Sequence, residues 1–375
     1  MRFRHPDGTV VHLAYCTNVH QAEDLDGVLA QLARFGEPVR QRLGADRLGL
    51  GLWLARPVAA ELVADPAAVT TLKAELAARG LEVVTFNGFP YEGFHDPVVK
   101  HRVYRPDWAA PERTRYTLDL ARLLAELMPD DAVRGSVSTL PLGWRTDWRG
   151  DGGQLELLAE GLAAQDRPVR VAFEPEPGCV IETTAQAATL LSEVDKDRLG
   201  VCLDTCHLAV GFEEPAAALG RLEAAGLDVV KLQASAALEA ASPKDPATRR
   251  ALESFVEPRF LHQSNEGAPP GADDLDEALA GALPGEAPWR VHFHVPLHAD
   301  PAPPLTSTRP VLAATLAELF GGATARTDHV EVETYTWQVL PDAPADDAGL
   351  VAGIAAELDW TRRALTNLGL EEVSA

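Results

Sequence analysis

The sequence predicts a single (β/α)8 barrel, on three observations. Short β-type runs alternate with Ala-, Leu-, Arg- and Glu-rich segments along most of the 375 residues, and such alternation means parallel strands joined by right-handed crossovers. No Gly-x-Gly-x-x-Gly follows the first run, which removes the commonest cofactor signature of the competing open, doubly wound sheet. Polar residues collect at the C-terminal ends of many different runs: Asn18 and His20, Asn87 and His95, Glu174, Asp204 with His207, Gln233, His294 and Glu333. A barrel with its site at the C-terminal face produces that distribution.

In chain order the strand candidates are His12–Cys16, Leu48–Trp53, Glu82–Gly88, Gly135–Leu140, Val169–Glu174, Leu199–Asp204, Val229–Gln233, Val291–Val295 and Val330–Thr334. Between the first five lie amphipathic helices at Leu25–Phe35, Ala67–Arg79, Pro111–Met128 and Gln154–Gln165, the second stopped by Gly80. This is one strand too many for a barrel. The excess falls in residues 234–289, rich in Pro, Gly, Ala and Asp. We read this stretch as an insertion or elaborated loop before the last strands of a single domain spanning 1–375. Gly267–Pro288 is its inserted part, and either Val229–Gln233 or Val291–Val295 is the seventh strand.

Composition narrows the function classes. Lys plus Arg number 33 against 56 Asp plus Glu, a formal net charge of −23. With 46% hydrophobic and 24% charged residues the chain is globular. Duplex DNA requires a basic face, so no nucleic acid partner is expected. No apolar run approaches the roughly 18 residues of a membrane span, and the start, Met1–Val10, lacks the apolar core of a signal peptide. The four cysteines (Cys16, Cys179, Cys202, Cys206) form no spaced disulfide framework. A cytoplasmic protein with reduced thiols is expected.

Four segments carry the chemistry: Arg170–Gly178, ending in Glu174 and Glu176; Gly200–Leu208, ending in Asp204-x-x-His207; Arg259–Gly267, with His262 and Glu266; and His329–Trp337, with Glu331 and Glu333. A charge inside or just beyond an apolar strand is costly unless paired or metal-bound. Taken singly, each has an ordinary explanation. Asp204 would cap a helix, Glu176 would be a solvated acid in a Pro-interrupted turn, and one histidine of His292-Phe-His294 would be a buried, satisfied ring. Several such strand ends at one barrel face instead place carboxylates around one cation, and mixed Asp/Glu/His ligation suits Zn, Mn or a similar divalent ion.

Cys202-Leu-Asp-Thr-Cys-His207, followed by Ala209-Val-Gly-Phe212, resembles the corresponding segment of the xylose-isomerase-like barrels, especially their apurinic-site endonuclease branch. In that superfamily Glu ends strand five, Asp-x-x-His strand six and Glu-Thr strand eight, and Glu174, Asp204 with His207, and Glu333-Thr334 stand in that order. His262–Gly267 is similar to an endonuclease loop that supplies a metal ligand. The chain departs from the pattern at Lys231-Leu-Gln233, where a metal-binding His is usual. Over nearly its whole length, in Leu13–His20, Phe86–Tyr91, Val99–Trp108, Ser138–Gly143 and His292–His298, the chain resembles the EboE-type "metabolite traffic" proteins of bacterial secondary-metabolite clusters.

The resemblance implies a metal-dependent isomerase or epimerase acting on a sugar, polyol or hydroxy-carbonyl metabolite. One to three divalent ions, Zn or Mn, are expected on Glu174, Asp204, His207, His262, His294 and Glu333. Glu174 and Glu333 are expected to act as base and acid, His207 to orient substrate, and Lys231 to stabilise an enediolate. Asn18, His20, Asn87, Tyr91, Gln233 and His298 are the expected substrate contacts. Phosphoester hydrolysis by the same ligands and a non-catalytic carrier remain as alternatives. Self-association or docking to other pathway proteins stays open.

Overall fold

A computed structural model describes residues 1–150 and 152–373. Eight parallel strands form the barrel: Val10–Cys16, Leu48–Leu52, Leu81–Asn87, Gly135–Thr139, Val169–Phe173, Leu199–Asp204, Val229–Ala234 and His329–Val332. The last pairs in parallel with the first, Val330 opposite Leu13, and this closes the cylinder. The strands are buried almost throughout, as parallel strands covered by helices must be.

The helices follow from their apolar stripes. In Pro111–Leu127, Tyr116, Leu120, Leu123, Leu124 and Leu127 recur at helical spacing and are buried. Arg113 on the same helix is also buried, its guanidinium donating to the carbonyls of Gly88 and Phe89 at 2.9 and 3.0 Å. It thereby pins the loop leaving the third strand. The predicted second helix runs Pro66–Ala78, ending before Gly80 at φ +65°. The first helix, Leu25–Gln31, does not stop at Phe35. It passes through a π turn, Leu32–Gly36, into Glu37–Leu43.

Val229–Ala234 is the seventh barrel strand, while residues 291–295 lie outside the barrel. Trp289–Val291 instead pairs antiparallel with Leu238–Ala240 and Ser264–Asn265, in a small side sheet completed by Thr306–Ser307. The elaboration therefore fills the interval between the seventh and eighth strands, from 235 to 308, and is longer than its composition suggests. An N-terminal strand, Arg2–Arg4, pairs with the first barrel strand and with Glu371–Val373. Its Arg2 meets the buried Glu82 at 2.8 Å at the opposite end of the barrel from the candidate site.

Inside the barrel Lys231 and Glu331 form a fully buried ion pair at 3.0 Å. Gly51 is required beside it, because a Cβ there would overlap the Glu331 carboxylate. Among the described residues no helix is long and apolar enough to cross a membrane.

Candidate active site at the strand ends

Three carboxylates arrive from three strand ends. Glu174 follows the fifth strand, Asp204 ends the sixth and Glu333 follows the eighth. One oxygen of each lies within 4.8 Å of the others. Asp204 does cap the next helix: its Oδ1 accepts from the His207 N–H at 2.9 Å, and also from Ser235 Oγ at 2.8 Å. Its Oδ2 has no partner, and neither has Glu174 Oε2. Glu333 Oε1 accepts from the amides of Asn18 and Asn87, both at 2.8 Å. Burial and the facing carboxylates push the proton affinity of Glu174 well above the carboxylate range and that of Glu333 up to about 8. Buried like charges of this kind call for a cation or shared protons.

Three imidazoles border the carboxylates, and their tautomers can be read from their partners. His207 Nδ1 is 3.0 Å from the Pro175 carbonyl and His294 Nδ1 is 2.7 Å from the Glu333 carbonyl, so both must donate. His292 Nδ1 is 2.7 Å from Gln263 Oε1. That amide orientation is fixed because Gln263 Nε2 donates to the Pro177 carbonyl at 2.8 Å. All three rings therefore carry hydrogen on Nδ1 and leave the Nε2 lone pair free. His207 Nε2 and His292 Nε2 face one another at 3.0 Å, and His294 Nε2 has no partner. Burial holds all three below the ordinary histidine range, His207 at about 4, so they are neutral at pH 7. Neutral rings oriented through the other nitrogen are the form in which histidine binds metals. Buried orphan oxygens and converging lone pairs together fit a divalent ion, held by Glu174, Asp204 and Glu333 with the imidazoles alongside.

Seven predicted residues meet here: Glu174, Asp204, His207, His294, Glu333, Asn18 and Asn87. Gln233 lies opposite Asp204 and Glu331 in the sheet register, buried, with neither side-chain polar atom partnered.

Five others go elsewhere. His262 has both nitrogens committed, to the His292 carbonyl and to Glu257, each at 2.9 Å, so no lone pair remains for a metal. Lys231 is spent on Glu331. His20 stacks on Phe35 at 4.1 Å and bonds Tyr15. Tyr91 packs edge-on to Tyr116 beneath Arg113. His298 stacks on Trp337. Glu266, in the loop similar to the endonuclease one, accepts from the N–H groups of Gly285, Glu286, Ala287 and the Trp289 indole, so it organises the elaboration.

Two site residues escaped the sequence reading. Glu176 is buried rather than solvated, accepts from Tyr104 OH at 2.7 Å, and is pushed up to about 8 by burial. It groups with His207 and His292. The Pro residues flanking it, read as a turn, were the available signal; its backbone N–H donates to the Ile181 carbonyl at 3.0 Å. His292 was visible as one of a histidine pair, but its partners lie far away in sequence.

The cavity and its solvent-open mouth together span about 520 Å3, with the carboxylates and imidazoles in the lining. The segment after the third strand and the elaboration also line it, joined where the N–H groups of Val99 and Lys100 donate to the Arg259 carbonyl at 2.7 and 2.8 Å.

A closed parallel barrel whose titratable cluster sits at the C-terminal ends of its strands has the architecture of the (β/α)8 enzymes. The pattern of the xylose isomerase-like TIM barrel family matches residues 41–271, and the chain belongs to that family. A probable endonuclease 4 from Carboxydothermus hydrogenoformans is 28% identical over 153 residues, 36% of this chain and 53% of its own length. This chain thus spans about half of that curated relative. The crystal structure of a D-allulose 3-epimerase from Methylomonas sp. superposes with a TM-score of 0.51 at 10% identity, covering 96% of this chain and 100% of the other, a likeness of fold.

Proposed function

We propose that the protein is a metal-dependent isomerase or epimerase that takes a proton from the carbon beside the carbonyl of a small hydroxy-carbonyl compound and returns one to the adjacent carbon, as an isomerase, or to the opposite face of the same carbon, as an epimerase. The carrying observation is the approach of Glu174 and Glu333, two buried carboxyls with oxygens within 4.8 Å in the cavity lining. One takes the proton, and the other returns one. Asn18 and Asn87 hold Glu333 in place through its Oε1. Asp204, capping the helix that carries His207, ties the orientation of that ring to the strand end. A divalent ion, Zn or Mn, bound by Glu174, Asp204 and Glu333 would supply polarisation of the carbonyl and its adjacent hydroxyl. His207 and His294 border that site. Placement in a bacterial secondary-metabolite pathway, and in the cytoplasm, belongs to the same proposal, and the pathway part draws on the EboE-type segments.

The test is exchange of the α-proton in D2O, followed by NMR, for a panel of ketoses and hydroxyketones with the metal-loaded protein. Exchange lost in both Glu174→Gln and Glu333→Gln supports the reading, while retained exchange in both overturns it. Ligand binding that survives without exchange in the wild type identifies a carrier. A second reading, metal-dependent phosphoester hydrolysis, draws support from the imidazole cluster beside the carboxylates, which would seat another ion. Release of phosphate from simple phosphoesters distinguishes it.

A further inference from the structure

The cavity is two-faced in a way that bears on what enters it. Its lining joins Glu174, Glu176, Glu333, Asn18, Asn87 and the imidazoles, at and near the strand ends, with an apolar wall of Phe94, Val99, Val103, Phe260 and Leu261 from the segment after the third strand and the elaboration. Phe94, Phe260 and Tyr335 pack into one aromatic cluster, with centroids 4.9–5.6 Å apart, and Tyr335 reaches His294 at 4.7 Å. Apolar wall therefore begins where the polar lining ends.

The polar side chains beside that wall are already engaged, the Tyr335 hydroxyl apart. Lys100 Nζ is paired with Asp274. Tyr104 OH donates to Glu176 and accepts from Gln263 Nε2 at 2.9 Å. The N–H groups of Val99 and Lys100 are spent on Arg259. A hydroxyl pressed against Phe94, Phe260 or Leu261 loses its water and gains no side-chain partner, which lowers affinity by about tenfold or more for each one.

We infer that the substrate is an α-hydroxy-carbonyl compound whose reacting head is joined directly to an apolar, ring-sized body, not an open-chain sugar hydroxylated along its length. The head meets the carboxylates and imidazoles, and the body lies on Phe94, Phe260 and Leu261. This assignment rests on the proton-transfer reading for the head and on the wall alone for the body.

The test uses metal-loaded full-length protein and three probes: 2-hydroxyacetophenone, dihydroxyacetone (the same head without a body) and D-ribulose. Calorimetry is expected to show the aryl probe binding at least about tenfold tighter than either other probe. Phe260→Ala and Leu261→Gln, made separately, are expected to narrow that ratio to about threefold or less. D-ribulose binding as tightly as the aryl probe overturns the assignment, and so does a ratio unmoved in both folded variants. Proton exchange in D2O on the same samples reads the reaction separately. Tight aryl binding without exchange of any probe sinks the proton-transfer reading and leaves the substrate class standing. Exchange of D-ribulose with no preference for the aryl probe does the reverse.

Discussion

His207 and His292 point their Nε2 atoms at each other across 3.0 Å, each ring turned by a hydrogen bond at its other nitrogen. With no proton between them the two lone pairs repel, and burial makes an added proton costly. A bound cation relieves this, and binding to the folded state alone stabilises it. Zinc or manganese at about 100 times its dissociation constant is expected to add about 2.7 kcal/mol, read as a rise in Tm that a chelator reverses. A Tm indifferent to both metals and to chelator would count against the site.

Asp204 has two separable duties, helix cap through Oδ1 and site member through the unpartnered Oδ2. Asp204→Asn keeps a capping oxygen, and its stability should stay within about 1 kcal/mol of wild type. Asp204→Ala should cost about 1–2 kcal/mol. Elemental analysis should find the metal depleted in both. Full metal content in the Ala variant would remove Asp204 from the ligand set.

The Lys231–Glu331 pair predicts a stability effect, not a direct catalytic one. Lys231→Met strands a buried carboxylate and should cost about 3–5 kcal/mol in denaturant melts. Lys231→Met combined with Glu331→Leu should recover most of that loss. A single variant of wild-type stability would contradict the pairing.

Acid stability should depend on Glu82. Burial alone would raise its proton affinity, but His12, Arg2 and the N-terminal ammonium outweigh burial and hold the carboxyl below its usual range. With the folded pKa below the unfolded value, this contribution is complete above about pH 4.5 and is lost as pH falls further. The denaturation midpoint should therefore fall on acidification below about pH 4.5, and less steeply in Glu82→Gln. Parallel acid limbs would refute the assignment.

Strand places, and the sequence order Glu174, Asp204 with His207, then Glu333, were legible without coordinates. In a buried strand the period of two fixes which side chains face inwards, and the last inward residue must sit at the barrel mouth. That local rule also brought Asn87 and Gln233 to the right end of the right strands. It has no force in loops. His20, Tyr91 and His298 have the chemistry of substrate contacts, yet Phe35, Tyr116 and Trp337, packed against them, turn their rings into other company.

What the sequence by itself determined was the barrel and the three carboxylate-bearing strand ends, because both follow from periodicity within a few consecutive residues. Only the tertiary structure decided that His292 faces His207, that Glu176 is buried against Tyr104, that Glu257 takes the free nitrogen of His262, and that Lys231 neutralises Glu331 instead of serving substrate. Three of those outcomes turn on a hydrogen bond or ion pair to a partner on another loop or strand, and the fourth, Glu257 with His262, on the fold of one loop. Lys231 and Glu331 meet only when the barrel closes, and His292 reaches His207 only once the elaboration between the last two strands has folded back over the barrel mouth.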